Sequence, residues 1–147
     1  MNSFFTFLGR DAGFGINNNS AYTIIDNNLI LIDCGYTVFN IIKEKFNFSE
    51  LNTINVLITH LHNDHAGSLS QLILYSWFVY GKKVKVLSKC KNIKNYLDIT
   101  GAPEKAYELD SALDCLTFIP TTHVKHIDSY GFKISINNKN IVYTRWY

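Results

Sequence analysis

The stretch that decides the fold of this chain is His60-Leu61-His62-Asn63-Asp64-His65. It holds three of the five histidines of the chain and directly follows an apolar run, Ile54–Thr59. Imidazole and carboxylate groups are the usual protein ligands of Zn²⁺ and related divalent ions. The residue types therefore predict a metal site at the end of a buried segment rather than a solvated polar loop.

The spacing within this stretch indicates how its ligands are arranged. Alternate residues of an extended segment point to the same side, so His60, His62 and Asp64 are expected to share one side of a loop. We expect His65 to turn away as the chain enters a helix suggested by residues 67–69. Such a turn can divide the cluster between two metals, with the first two histidines on one metal and Asp64 and His65 on the other.

A third metal ligand is expected from a distant part of the chain. A catalytic zinc has three protein ligands and an open position. His123 is our candidate, because it follows the strand-like run Phe118–Thr122 and open α/β sheets place their ligands just past strand ends. His126 is an alternative ligand or a bystander, and we favour the bystander interpretation.

Composition restricts the class of protein. The chain has 147 residues, of which 47% are hydrophobic and 18% charged, as expected of one globular domain with its own core. The net charge of +2 does not by itself indicate a nucleic-acid surface.

Three cysteines without a Cys-x-x-Cys pair favour reduced, buried thiols in a cytoplasmic protein. We find no signal-peptide pattern, and the most apolar stretch, Leu69–Tyr80, is too short to span a bilayer, so we expect no membrane association.

Periodicity predicts alternating strands and helices, with a hairpin near each end of the chain. Strands are predicted at Ser3–Leu8, Ser20–Ile25, Leu29–Ile32, Asn55–Thr59, Lys83–Leu87, Leu116–Ile119, Phe132–Ile136 and Ile141–Thr144. Helices are predicted at residues 37–47, from Leu69 onwards and at residues 92–99. The hairpin turns are expected at residues 26–28 and 137–139. This order indicates a layered α/β domain, or α+β in some classification schemes.

Three segments together resemble the metallo-β-lactamase superfamily. The segment Thr59–Gly67 is similar to the signature loop of that superfamily, and Ile32–Gly35 resembles the strand end that precedes it. His123 followed by Ser129–Ile134 resembles the third motif in the form found in ribonuclease Z and its phosphodiesterase relatives. The resemblance runs in order from Phe4 to Thr144.

The resemblance implies a role for each matching residue. His60, His62 and His123 would hold one metal, while Asp64 and His65 would help to hold a second. Asp64 would also accept a hydrogen bond from the attacking water. The implied cofactor is one or two Zn²⁺ ions, with Mn²⁺ or Fe²⁺ as alternatives. Asp33 is expected either to contact a ligand histidine from behind or to cap a turn.

The implied fold is an αββα sandwich, and here the chain departs from the family pattern. Members of the family continue from a strand like Ile141–Thr144 into a Gly-Asp pair, whereas this chain has Arg145, Trp146 and Tyr147. We therefore expect residues 1–147 to form a single domain equivalent to the N-terminal portion of the full fold. The second sheet and its helices would be incomplete, as in a C-terminally truncated member.

The resulting functional hypothesis is a metal-dependent hydrolase, and phosphodiester bonds are the favoured substrate. Its substrate would be a small phosphodiester or a nucleic-acid end. Two alternatives remain open at this point. The chain is either an impaired member that binds metal without turnover, or a subunit that another chain or a second copy of itself completes.

Overall fold

Two β-sheets and four helices organise the computed structural model, which describes residues 4–109 and 113–144. The strands are β1 (Thr6–Gly9), β2 (Ser20–Ile25), β3 (Asn28–Ile32), β4 (Thr53–Leu57), β5 (Val84–Leu87), β6 (Tyr107–Leu109), β7 (Leu116–Thr121), β8 (Ser129–Ile136) and β9 (Lys139–Tyr143). The helices are α1 (Val38–Lys45), α2 (Asn63–Ala66), α3 (Leu69–Tyr80) and α4 (Ile93–Ile99), with short 3₁₀ turns at Phe48–Glu50 and Glu104–Ala106.

The first sheet has the strand order β1-β2-β3-β4-β5-β6. Its first three strands pair antiparallel, and β3 to β6 pair parallel through crossovers that contain the helices. Parallel pairing brings the carboxyl ends of β3, β4 and β5 to one edge of the sheet. The loops that follow these strands begin at Asp33, Ile58 and Ser88. The histidine-rich stretch therefore lies at this edge, where α/β sheets bind ligands.

Both predicted hairpins are present and both are tight. Asp26 and Asn27 have φ of 50° and 60°, and Asn137 and Asn138 have φ of 51° and 59°. Two successive left-handed residues form a type I′ turn, whose twist matches that of the flanking strands. Asparagine and aspartate tolerate this conformation, which explains why these residues specify the register of both hairpins.

The core consists of two layers, one on each face of the first sheet. On one face, α1, α3 and α4 cover Leu29, Leu31 and Val56. On the other face, Ile30 and Ile32 pack against residues of the second sheet, which has the order β7-β8-β9. This arrangement confirms the predicted metallo-β-lactamase-like α/β class and gives the second sheet three strands in the described part of the chain. The predicted ending at residues 145–147 lies outside the described residues.

Several predicted boundaries were wrong. The strand expected to stop before Pro120 continues to Thr121. It does so because β7 is an edge strand, where a residue without an N–H group is tolerated. The strand expected at residues 55–59 runs over Thr53–Leu57, and β6 was not predicted at all. Among the described helices, none has both the length and the apolar composition needed to cross a membrane.

Candidate metal centre

Three histidine side chains converge at the carboxyl edge of the first sheet. Nε2 of His60 lies 3.1 Å from Nδ1 of His62, and Nε2 of His123 lies 3.0 Å from the same Nδ1 atom. The three ligand atoms lie within 4.8 Å of one another, and His60 is fully buried. Tetrahedral Zn²⁺ at about 2.0–2.1 Å from each nitrogen separates its ligand nitrogens by about 3.3 Å. Two of the three nitrogen pairs are therefore already close to the spacing that such an ion requires.

A contact between the two sheets brings His123 to the other two histidines. His60 and His62 follow β4, while His123 follows β7, 61 residues beyond His62. The backbone N–H of Tyr130 in β8 donates to the carbonyl of Thr59, at 2.9 Å. Because β7 and β8 are paired, this bond and the apolar packing between the two sheets position the His123 loop beside the histidine-rich stretch.

Asp64 and His65 form a second group of donors beside His60. Oδ2 of Asp64 lies 3.1 Å from Nε2 of His65, and the rings of His60 and His65 are 4.1 Å apart at their centroids. His65 is fully buried, and its Nε2 atom has no hydrogen-bond partner among the described residues, because the Asp64 contact lacks hydrogen-bond geometry. A buried polar atom without a partner costs about 1–3 kcal/mol. Coordination of a cation would remove that cost, so the donor set fits a divalent metal.

The local backbone differs from the predicted extended loop. His62 is extended, with φ of −65° and ψ of 151°, and α2 begins at the next residue. Asp64 therefore lies in the first turn of a helix and does not share one side of a loop with His60 and His62. The turn comes earlier than predicted, which separates the three-histidine group from Asp64 and His65. His126 is exposed and lies outside the three-histidine group.

A buried aspartate supports the ligands from behind. Asp33 has φ of 58° and is fully buried. Its carboxylate accepts hydrogen bonds from the Thr59 backbone N–H at 2.8 Å, from the Thr59 hydroxyl at 2.8 Å and from Nδ1 of His65 at 2.6 Å. The Thr59 hydroxyl in turn lies 3.0 Å from Nδ1 of His60. Asp33 thus combines the two roles considered for it, since it occupies a left-handed turn and contacts a histidine of the site.

This network determines which nitrogen of each histidine faces the site. Because a carboxylate accepts hydrogen bonds, the Thr59 hydroxyl donates to Asp33 and accepts from Nδ1–H of His60. Nδ1–H of His65 donates directly to Asp33. Both rings are held in the tautomer that leaves Nε2 unprotonated, as metal ligation requires. Thr59 was not predicted to act here, although its hydroxyl directly before the first histidine is a usable signal.

The turn after β3 holds the histidine-rich stretch by its backbone. The N–H of Cys34 donates to the carbonyl of His65 at 2.7 Å, and the N–H of Ser68 donates to the carbonyl of Cys34 at 3.0 Å. A Cβ atom on Gly35 would lie 2.0 Å from the carbonyl oxygen of Asp64, so glycine is required at this close approach. Burial raises the pKa of the Cys34 thiol to about 12, which is the behaviour of an inert packing residue and not of a nucleophile.

An open cleft of about 590 Å³ gives access to the site. The loop between β1 and β2 forms one wall of the cleft, and a Cβ atom on Gly13 would lie 3.6 Å from Oδ2 of Asp64. The part played by this loop was not predicted. The cleft is lined by Gly13, Phe14, Tyr36, His62, Asn63, Asp64 and His123.

The solved structures most useful for comparison share the fold. A metallo-β-lactamase fold protein, YhfI from Bacillus subtilis, superimposes with a TM-score of 0.75 at 17% identity, covering 94% of this chain and 60% of that chain. Human tRNase Z, short form, superimposes with a TM-score of 0.71 at 18% identity, covering 94% of this chain and 67% of that chain. These similarities confirm the fold that the sequence motifs indicated.

Sequence comparison gives a narrower assignment. The family model described as Anti-Pycsar protein Apyc1 matches residues 4–100. The Anti-Pycsar protein Apyc1 of Bacillus phage 010DV004 is 27% identical over 159 residues, which cover 86% of this chain and 61% of that relative. The protein of the same name from Bacillus phage vB_BveM-Goe7 is 34% identical over 86 residues, covering 56% of this chain and 33% of that relative. This chain thus spans at most about three-fifths of these relatives. With a family match that covers most of its length, the chain belongs to the Anti-Pycsar protein Apyc1 family.

Proposed function

We propose that this protein is a metal-dependent hydrolase of phosphodiester bonds, with Zn²⁺ as its metal. The observation that carries the proposal is the convergence of three histidines, in which Nδ1 of His62 lies 3.1 Å from Nε2 of His60 and 3.0 Å from Nε2 of His123. The unpartnered Nε2 atom of buried His65, beside the Asp64 carboxylate, supports a second metal position. In the proposal, the three-histidine group holds one ion, and Asp64 and His65 contribute to a second.

In the proposal, some residues of the site bind the metal, and others orient the attacking water or set the histidine tautomers. A divalent ion bound here would polarise a phosphoryl oxygen and lower the pKa of water, so that hydroxide is available at neutral pH. The carboxylate of Asp64 would accept a hydrogen bond from the attacking water and orient it. Asp33 and Thr59 would keep the ligand imidazoles in the required tautomers. Protonation of the ligand imidazoles in acid would compete with metal binding.

The choice of a phosphodiester is supported by the third motif. His123 and Ser129–Ile134 follow the form associated with ribonuclease Z and its phosphodiesterase relatives, and human tRNase Z has the same fold. The substrate would be a small phosphodiester or a nucleic-acid end. The curated relatives are named for an anti-Pycsar role, and we extend that role to this chain as part of the proposal.

A second candidate function is metal binding without turnover in the isolated chain. It is favoured by one observation: among the described residues, only the three histidines form a group of three or more side chains close enough to hold a metal. In that case a further chain, or a second copy of this one, would supply the remaining groups of the second metal position. Both candidates require the three-histidine group, and they differ in whether the purified chain hydrolyses a substrate.

Metal content and hydrolysis of bis(p-nitrophenyl) phosphate, measured on the same purified protein, separate the two candidates. We expect metal-dependent turnover that is lost in Asp64→Asn and retained in Asp114→Asn, an exposed aspartate away from the cleft. Bound metal without turnover at any concentration of Zn²⁺, Mn²⁺ or Fe²⁺ would favour the second candidate. Absence of metal binding in a folded protein would exclude both.

A further inference from the structure

We propose that Asp128 is a positioning residue of the metal centre, which keeps the third histidine ligand, His123, within reach of the other two. It does so by fastening the loop that carries His123, residues 122–128 between β7 and β8, to the β5–α4 loop, residues 88–92. The inference rests on the metal site of the proposed function, and it gives Asp128 no contact with a substrate.

The first observation is that His123 lies on an exposed loop. The three residues that follow His123 are exposed, and the base of the loop is closed by the hydroxyls of Thr121 and Ser129, which lie 2.8 Å apart. The other two histidines, by contrast, directly follow a central strand of the first sheet. A ligand on an exposed loop has to be held before the metal arrives, because ordering it during binding lowers the affinity.

The second observation is that Asp128 spans the gap between the two loops. Oδ2 of Asp128 accepts a hydrogen bond from the backbone N–H of Lys91 at 3.0 Å. The Sγ atom of Cys90 lies 3.7 Å from the carbonyl oxygen of Asp128 and 3.8 Å from that of Thr59. Cys90 is buried, and burial raises the pKa of its thiol, which keeps it a protonated donor. Asp128 therefore contacts the β5–α4 loop through its side chain and through its backbone.

The third observation is that the β5–α4 loop is itself fixed to the segment that leads into the histidine-rich stretch. The hydroxyl of Ser88 donates to the carbonyl of Ile58 at 3.3 Å, and the N–H of Cys90 donates to that hydroxyl at 3.2 Å. Ile58 lies two residues before His60. This series of bonds therefore relates the position of Asp128 to that of the first metal ligand.

The Asp128 bond acts closer to the ligand than the bond between Tyr130 and Thr59. The Tyr130 bond holds strand β8, whereas Asp128 lies two residues nearer to His123 and holds the loop. Groups that contact a metal ligand directly contribute about 10–100-fold to metal affinity. Because Asp128 acts through the backbone of the loop, we expect a smaller effect, about threefold to tenfold.

Zinc affinity, measured by chelator competition on the intact chain, tests the assignment with three substitutions. Asp128→Ala removes the acceptor of the Lys91 N–H, whereas Asp128→Asn keeps an acceptor oxygen and removes the charge. Asp98→Ala is the matched control, since Asp98 is an exposed carboxylate on α4 that pairs with Lys94. Urea denaturation of the metal-free proteins measures the stability of each variant.

We expect Asp128→Ala to lower zinc affinity about threefold to tenfold, with Asp128→Asn and Asp98→Ala within about twofold of the wild type. An equal loss in Asp128→Asn would show that the negative charge, and not the bond to Lys91, supports metal binding, and would overturn the inference. So would an equal loss in Asp98→Ala, or an unchanged affinity in Asp128→Ala.

A double-mutant cycle with His123→Ala separates positioning of the ligand from general destabilisation. If Asp128 acts through His123, Asp128→Ala should cause no further loss of zinc affinity once His123 is replaced by alanine. A loss of the same size in both backgrounds would show that Asp128 acts on the fold as a whole, which contradicts the assignment.

Metal binding and turnover together distinguish failure of this inference from failure of the proposed function. Lower zinc affinity in Asp128→Ala, in a protein that hydrolyses no phosphodiester, would support the Asp128 assignment and reject the hydrolase. Zinc-dependent hydrolysis by the wild type, with unchanged zinc affinity in Asp128→Ala, would reject the Asp128 assignment alone.

Discussion

Replacing Asp33 by asparagine should weaken metal binding while leaving the fold intact. Oδ1 of Asp33 accepts from the N–H of Thr59 at 2.8 Å and from its hydroxyl at 3.0 Å, and an asparagine carbonyl can keep these two bonds, although the shorter hydroxyl bond to Oδ2, at 2.8 Å, would be lost. The amide nitrogen would then replace Oδ2, which lies 2.6 Å from Nδ1 of His65. Two N–H donors cannot face each other, so His65 must move its proton from Nδ1 to Nε2.

The changed tautomer blocks the atom that should bind the metal. With a proton on Nε2, His65 has no lone pair to offer at the second metal position, and that proton faces Oδ2 of Asp64, 3.1 Å away. Loss of such an outer partner typically costs 10–100-fold in metal affinity, or about 1.4–2.8 kcal/mol. Stability should fall by only about 1 kcal/mol, because asparagine adopts positive φ and retains two of the three Thr59 bonds.

Asp33→Ala provides the contrast in stability. Alanine would leave the Thr59 N–H and the Nδ1 of His65 without their partner in a buried site, and it tolerates a φ of 58° less well than aspartate or asparagine. We expect a loss of about 3–5 kcal/mol in the free energy of unfolding, measured by urea denaturation. Metal affinity is measured by chelator competition, and metal stoichiometry by elemental analysis.

The control is Asp26→Asn, since Asp26 has φ of 50° but is exposed in a hairpin turn away from the site. It should change neither metal affinity nor stability. Metal affinity and stoichiometry in Asp33→Asn equal to those of the wild type would refute the tautomer argument, and so would an equal loss in Asp26→Asn.

Three further predictions follow from the geometry of the site and the core. His123→Ala should lower zinc affinity by more than the roughly 10–100-fold expected for loss of a residue that only contacts a ligand, such as Asp33. His126→Ala should leave the chelator-competition curves unchanged. Equal effects of the two substitutions would place the third ligand elsewhere. Gly35→Ala should cost about 1–3 kcal/mol or more in urea denaturation and also weaken zinc binding, because its Cβ would overlap a backbone carbonyl of the metal loop. In native protein at pH 8, Ellman's reagent should modify the partly exposed Cys115 first and leave Cys34 unmodified until unfolding, because burial raises the Cys34 pKa to about 12. Since that raised pKa favours the protonated folded state, the contribution of Cys34 to stability should be lost as pH rises from about 9 to about 12. Rapid labelling of Cys34 itself, located by peptide mass spectrometry, would contradict its burial.

Local sequence was sufficient for most of the fold. The asparagine-rich turns at Asp26-Asn27 and Asn137-Asn138 tolerate positive φ, so both hairpins could be predicted. The helices α1, α3 and α4 could be predicted because their apolar residues recur at helical spacing. By contrast, β6 consists of only three residues, and its pairing with β5 depends on the crossover through α4 rather than on its own composition. The extension of β7 through Pro120 likewise depends on its place at the sheet edge.

The candidate site was predicted in part. His60, His62 and Asp64 were identifiable because their residue types and spacing are those of metal ligands, and His123 because it follows a strand. The contribution of Thr59 and the position of Phe14 were not predicted. Both depend on contacts with distant segments, Thr59 with Asp33 and the Phe14 loop with Tyr36.

The sequence by itself determined the chemistry of this protein, because donor atoms belong to residue types and their local order is read directly from the chain. Imidazole and carboxylate groups in one short stretch are the donor types that divalent metals prefer, so the sequence alone predicts a metal site. Only the tertiary structure decided which nitrogens face a common point. That depends on the bond between Tyr130 and Thr59, which joins the two sheets, and on the buried carboxylate of Asp33, which sets the histidine tautomers. Such contacts form between segments far apart in sequence, so no local pattern encodes them.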